Sequence, residues 1–493
     1  MTLTEAPAAA RSLPQAHTGR LVRLEARRNV MLLLIPLLAL LFWFDTYRTV
    51  LQTPPFWALR GIVMQKHIML DFAPLLAGVA AWTGSRDGRR GTGELVAATS
   101  RPRWIVQTST WAATTAWAVL AYLICVALVY GATAAQHAPG SPAWWPVLVG
   151  LSCLPAFTAL AFAAGAFFPS RFTTPLAAIM ALLLLEVGFR GASHGSSPYL
   201  LIVPLNAMPG STPAADIAVF QPYLPDLAIT QVMALAGLGL AALAALGTPP
   251  GAGTPVTRRT CTGLVVLGLV LAGTGIGLAG TGRQQPTGMV AIPALHKAAD
   301  DYEKAYPPVC TASTTPTCVH PAFRKYLPAA QAAFDPLLRE LAGLPGAPTR
   351  VTQTASRYTG HPPISLSGPA VSVALAEAIP NDTGRSLSDA ELSRNFKRAF
   401  DPPIVAAVIG NGQGRPDEAQ AAVIEGLLIA AGVPQGPCNG ACVISDVGAA
   451  RPGSAAYDAG TRFAALPAAT RHAWLMTNLA ALRAGRIELG QLP

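Results

Sequence analysis

Residues 262–282 read TGLVVLGLVLAGTGIGLAGTG, twenty-one positions holding only Gly, Ala, Thr and aliphatic side chains. Coiled as an α-helix, this run is about 31 Å long at roughly 1.5 Å per residue, which matches the hydrocarbon core of a bilayer. Its glycines lower helix propensity in water but are common in membrane helices. Working back toward the amino terminus, six more runs have this character, near 30–47, 67–83, 105–134, 144–168, 173–189 and 227–246. The whole chain agrees: 52% of its 493 residues are hydrophobic and only 12% charged, with a mean hydropathy of +0.40. Those figures exclude an ordinary soluble surface, a disordered chain and a small disulfide scaffold. The expected fold is mainly α: a polytopic membrane helical bundle of a six-span core plus a seventh span, followed by a soluble mixed α/β domain. The divisions are a 1–29 amino-terminal segment, a 30–246 core, a 247–282 linker and seventh span, and a 283–493 soluble domain.

Charge sets the orientation. The net charge of +10 divides at residue 282 into 17 Lys+Arg against 9 Asp+Glu before it and 18 against 16 after it. The basicity therefore belongs to the membrane half, and nucleic acid is not an expected partner. Thirteen arginines fall on one set of alternate segments: Arg11, Arg20, Arg23, Arg27, Arg28, Arg86, Arg89, Arg90, Arg101, Arg103, Arg171, Arg258 and Arg259. The opposite short loops receive Arg48, Arg60, Lys66 and Arg190. By the positive-inside rule the amino terminus is cytoplasmic, and seven spans put residues 283–493 outside. The first apolar run, beginning at Val30, reads as a span because no small-residue cleavage site follows it. Cysteine usage fits an oxidising location for the last domain. Cys310 with Cys318 and Cys438 with Cys442 are expected as short-loop disulfides, each worth about 2 kcal/mol or somewhat more. A zinc site is the competing reading, since His320 lies two residues after Cys318, although CxxC and HExxH are both missing. Cys125, Cys153 and Cys261 lie in or at the edge of spans.

Between the second and third runs, segment 84–104 carries Arg86-Asp87-Gly88-Arg89-Arg90-Gly91-Thr92-Gly93-Glu94-Leu95 and closes Thr99-Ser100-Arg101-Pro102-Arg103. Thr92 can cap a two-turn helix whose first turn holds Glu94 against the positive helix end and which Pro102 terminates. Leu95, Val96 and Thr99 share one face, which suits docking into a groove of another protein. Here the chain resembles the membrane subunits of ABC exporters of the type-2 permease superfamily. The resemblance runs over about residues 18–246 and rests on Arg90, Gly91, Thr92, Glu94, Leu95, Thr99, Arg101 and Arg103. It implies a coupling helix that seats in a partner ATPase dimer, and a second permease copy or a related permease beside this chain. The proline departs from the family pattern, standing at Pro102 where Ser100 would be expected to hold it. Ahead of the first run, Leu21, Leu24, Glu25 and Arg28 form an amphipathic stretch similar to the elbow helix of the same permeases. Both segments also read as plain positive-inside flanking. The chain has no GxxxxGK[ST], and its one glycine-rich loop, 410–415, lacks the Lys-Ser/Thr end, so ATP and Mg²⁺ are expected in the partner and no cofactor in this chain. With the Ala, Gly and Pro excess and few lysines, the expected location is a bacterial plasma membrane.

Ionisable residues within spans are functional candidates, because each is costly in hydrocarbon. Asp71 is one helical turn from His67 and near Lys66, so it reads either as locally paired or as facing a translocation path; Glu186 reads as an i,i+4 partner of Arg190 or as a second path residue. Segment 190–225 mixes Pro and Gly with apolar stretches, as a re-entrant element or a headgroup-level loop would. Gly273 and Gly277 form a small-xxx-small pair for close helix packing. In the last domain, helices are expected at about 322–342, 388–400, 416–431 and 467–484, and strands at 349–355, 369–376 and 403–409. No ordered Ser/His/Asp arrangement can be argued from His361, Ser365, Ser367 and Asp401. Three readings follow: a permease subunit of an ATP-driven exporter, an ATPase-driven mechanical or signalling device acting through its outer domain, and an enzyme or receptor anchored by its spans. Orientation is directly testable. A cysteine placed at Ser454 should react with a membrane-impermeant thiol reagent on intact cells; labelling only after lysis would reverse the assignment.

Overall fold

The computed structural model describes residues 18–91, 102–193, 197–206, 217–220, 223–249, 254–285, 289–300, 305–355, 364–379, 387–410, 416–434 and 450–493. Among the described residues a short helix α1 (Thr18–Arg27) precedes seven helices long and apolar enough to cross a membrane. They are α2 (Met31–Gln52), α3 (Trp57–Gly84), α4 (Arg103–Ala135), α5 (Trp144–Phe167), α6 (Thr173–Ser193), α7 (Asp226–Ala245) and α8 (Pro255–Gly280). Pro54 ends α2, since the residue before a proline is pushed out of the helical region, and Thr53 is extended at φ −68°, ψ 155°.

The second long helix begins ten positions ahead of the apolar run at 67–83. Trp57–Lys66 interrupts that run with Arg60, Gln65 and Lys66, yet it is helical. All four cations expected on short loops therefore lie within helices: Arg48 in α2, Arg60 and Lys66 in α3, and Arg190 in the last turn of α6. Arg60 is 0% exposed. Its guanidinium donates to Thr133 Oγ1 at 3.1 Å, to the Thr53 carbonyl at 3.2 Å and to Gln136 Oε1 at 2.6 Å. Hydrogen bonding of this kind is what makes a buried cation tolerable, and no apolar-run criterion detects it.

Helix α3 forms the centre of the bundle and α8 lies at its edge against α7. The packed face of α8 is Cys261, Gly268, Ala272, Gly275 and Ala279, all buried. A Cβ on Gly268 would stand 2.6 Å from the Gly237 carbonyl oxygen, and one on Gly275 would stand 2.7 Å from that of Thr230. A Cβ on Gly273 or Gly277 would meet nothing within 4 Å among the described residues, so the small-xxx-small pair expected to pack against the core faces away from α7. Small residues populate both faces of this helix, and the sequence alone could not choose between them.

Beyond α8 a hairpin of β1 (Arg283–Gln284) and β2 (Val290–Ala291) leads into the last domain. Its sheet orders β3 (Val309–Cys310), β4 (Thr317–Val319), β5 (Arg350–Gln353), β7 (Ala370–Val373) and β6 (Ile364–Ser367) side by side. The β4–β5 and β5–β7 pairings are parallel, and the edges are antiparallel. Helices α9 (Leu327–Leu341), α10 (Asp389–Ile409), α11 (Glu418–Ala430), α12 (Ala455–Ala465) and α13 (Ala468–Arg483) complete the domain around Phe323, Phe334, Phe396, Phe400 and Phe463. The expected strand at 403–409 is instead the second half of α10. That helix starts at a Ser388/Glu391 capping box and continues through Pro402–Pro403, because Ile404, Val405, Val408 and Ile409 bury completely at helical spacing. Burial overrode the strand propensity of a β-branched run.

The two glycine registers of α8 differ in a measurable way. Gly268→Leu or Gly275→Leu should overpack the α7 contact at a cost of ~1–3 kcal/mol and lower the melting midpoint in detergent. Gly273→Leu should leave it within error.

Candidate functional site

The amino-terminal end of the bundle unites two segments that are far apart in the chain. Helix α1 lies on α4, where the Trp117 indole donates to the Ala26 carbonyl at 2.9 Å. After α3 a single helical turn, Arg86–Arg89, brings Arg86 over α1. Both terminal guanidinium nitrogens of Arg86 donate to the Glu25 carboxylate at 3.3 Å, and its Nε lies 3.6 Å from Asp87. Burial works against the Arg86 charge, but the Glu25 and Asp87 carboxylates outweigh it and hold the guanidinium above its usual range. Arg89 stacks on Trp82 with 3.5 Å between its guanidinium carbon and the ring centre. Arg90 is exposed, and Gly91 turns the chain at φ +64°, which favours glycine. Arg103 opens α4 and is exposed. Within the elbow-like helix, Leu24 is 55% exposed while Glu25 and Ala26 are only half-buried toward the bundle, and Arg28 is exposed just beyond it. Leu21 lies in the same helix. Thr92, Glu94, Leu95, Thr99 and Arg101 lie outside the described residues.

A second cluster sits between α2 and α3, half-buried. Helix α2 widens into a π-helical stretch at Phe42–Tyr47, a rare geometry that recurs at functional sites. It brings Asp45 to 2.5 Å from His67 Nδ1, and the Asp71 carboxyl stands beside Asp45. The imidazole thus pairs across 22 positions with Asp45 and not with its neighbour Asp71. Lys66 is not its partner either, since its ammonium lies over the Phe189 ring at 4.7 Å. Asp71 Oδ2 is buried with no hydrogen bond among the described residues. Asp45 escaped the sequence reading because an extra residue per turn in α2 changes which face it occupies. Glu186 accepts from Arg190 at 3.1 Å on the exposed side of α6.

At the far end a 3₁₀ turn, Pro198–Ile202, tucks against α6, α7 and α8. Gln231 Nε2 donates to the carbonyls of Leu201, Val203 and Asn206 at 3.1, 3.0 and 3.2 Å, and Gln65 donates to that of Pro204 at 2.6 Å. Irregular backbone among apolar helices needs such internal donors. The last domain seats on the same end: the Tyr326 hydroxyl and the Lys325 ammonium donate to the Gln52 carbonyl at 3.0 and 3.1 Å. Cys310 and Cys318 form a disulfide between paired residues of β3 and β4, whereas Cys438 and Cys442 lie outside the described residues. His320 packs among aromatic rings. Its Nδ1 accepts from the Ala322 amide at 3.1 Å, and its ring meets Tyr306, Phe220 and Phe56 at 4.3, 5.5 and 6.1 Å. Ser365 and Ser367 lie on β6, and His361 falls outside the described residues. Compared with protein families, curated proteins and solved structures, the chain finds no match.

Asp401 stands apart from any site. It is 0% exposed in the core of the last domain, and neither carboxyl oxygen has a hydrogen bond among the described residues. Burial raises its pKa well above the ordinary value, and Lys397 offsets this only in part. An unfolded aspartate releases its proton near 3.9. Above that pH the native state holds a proton the unfolded chain has lost, so stability falls as pH rises, by up to ~1.4 kcal/mol per pH unit until the folded pKa is reached. Asp401→Asn should remove that slope. Melting midpoints of the variant and parent, followed from pH 4 upward, should diverge in the variant's favour; parallel curves would contradict it.

Proposed function

We propose that this chain is the permease subunit of an ATP-driven exporter in a bacterial plasma membrane, with its amino terminus cytoplasmic and residues 283–493 outside. The observation that carries the reading is the Glu25–Arg86 bridge, which ties the elbow-like α1 to the loop where the coupling-like residues begin. In this reading the loop seats in an ATPase dimer that supplies ATP and Mg²⁺. A second permease, the same chain or a related one, closes the path. Closure of the ATPases moves the loop, and the loop moves α3 and α1 together, biasing the bundle between two arrangements. Asp45, His67 and Asp71 lie along the path in this scheme, and Glu186 lies off it with its arginine.

A second reading is favoured by one feature of the packing. Phe56, Leu59 and Ile62 at the start of α3, with Val219 and Phe220, belong to the same apolar core as Phe323, Phe334 and Phe400 of the last domain. A helix that shares its end with that core can transmit displacement to it, as an ATPase-driven mechanical or signalling device requires. Export of a substrate separates the two.

Purification under mild detergent should bring an ABC ATPase down with this chain. Glu94→Ala with Leu95→Ala should leave insertion intact, reduce co-purification, and uncouple ATP hydrolysis from transport. Unchanged ATPase assembly and coupling in that double variant would remove the docking claim.

A further inference from the structure

Between α1, the start of α2, the end of α3 and α4 lies a cavity of about 730 Å³, within the usual range of ligand sites. Four arginines line it, Arg28, Arg86, Arg89 and Arg90, against one carboxylate, Glu25. Arg86 is committed to Glu25. Arg89 spends one nitrogen on the Trp82 carbonyl, at 3.1 Å, and its buried Nε has no partner among the described residues. Arg28 and Arg90 are exposed. The neutral polar side chains of the lining are mostly engaged, Asn29 keeping one amide proton to spare. Asn29 Nδ2 donates to Thr114, and its Oδ1 accepts from the Met31 amide, while Thr83 and Thr110 donate to carbonyls of their own helices. What the cavity chiefly presents to a ligand is therefore guanidinium, which suits the forked recognition of phosphate.

Its rim is apolar. Leu24, Val30 and Trp82 are 55, 39 and 45% exposed beside it, and the exposed tryptophan is of the kind that marks a membrane interface. Arginines within and hydrocarbon at the edge match an amphiphile, with a charged head inside and its chains lying along the rim. We infer that this cavity binds the phosphodiester headgroup of an anionic phospholipid, held by Arg28, Arg89 and Arg90. The lipid then sits beside the Glu25–Arg86 bridge and braces α1 against α3. The inference needs only that the helices span a bilayer and does not rest on the transport reading.

The test uses the isolated full-length chain, stripped of lipid in a neutral detergent with no ATPase present. Native mass spectrometry and the melting midpoint are read on adding dioleoyl-phosphatidylglycerol, dioleoyl-phosphatidylcholine or glycerol phosphate. Phosphatidylglycerol should bind at least about tenfold more tightly than phosphatidylcholine, and glycerol phosphate should give no comparable shift. Arg28→Gln with Arg90→Gln should weaken phosphatidylglycerol binding by ~10- to 30-fold, the effect of two charges near a lipid phosphate. Arg171→Gln with Arg258→Gln, which removes two charges at the same end but outside the cavity, should not. Arg90→Gln alone, at an exposed position, repeats the test should the first double variant melt early without lipid. Equal binding of the two lipids, equal loss in both double variants, or an equal shift with glycerol phosphate would each overturn the assignment.

Discussion

A polar group placed among apolar helices is costly unless it finds a partner within the protein, because hydrocarbon supplies none. Arg60 shows how far this constraint reaches. Its two terminal nitrogens find acceptors where the end of α2 and the end of α4 converge on α3, at Thr53, Thr133 and Gln136, while Nε has no partner among the described residues. Gln65 and Gln231 act likewise on the 198–206 segment, whose carbonyls have no helix to serve them. Hydroxyls inside the helices close locally: Thr110, Thr114, Thr133 and Thr158 each donate to the carbonyl four residues back. The polar residues of the spans are thus the positions that set how the helices meet.

Helix α3 connects the two ends of the protein. At 28 residues it is about 42 Å long at 1.5 Å per residue. One end enters the apolar core of the last domain through Phe56, Leu59 and Ile62, and the chain just past the other end holds Arg86 against Glu25. Pro74 lies inside it, where a missing donor and a crowded carbonyl permit a bend. His67 and Asp71 lie on the same rod, close to that proline, and Asp45 of α2 meets them there. A displacement applied at Arg86 therefore has a continuous path past a charged cluster to the domain beyond the bundle, and a lipid headgroup in the arginine cavity would stiffen its starting point.

The spans themselves were readable from composition, and so was the mixed character of the last domain, because both follow from residue type over windows of ten or more positions. Where the structure departs, the cause is in each case a contact between distant residues. Arg60 and Lys66 were read as loop cations since a helix interrupted by charge has no apolar run. The 403–409 segment was read as a strand since Ile and Val are strand formers wherever packing does not decide. Gly273 and Gly277 have the right spacing, but the α7 surface is complementary to Gly268 and Gly275.

Sequence alone therefore determined seven helices of membrane length, an arginine-rich end and a polar last domain, since length, hydropathy and charge are additive properties of the chain. Tertiary structure alone decided which face of each helix is inside, that His67 meets Asp45 through a π-helical widening of α2, that Glu25 meets Arg86 to frame a cavity, and that the last domain shares a core with α3. Those depend on pairs 22 to 61 positions apart and more, and a pairing of distant residues leaves no periodic signal along the chain.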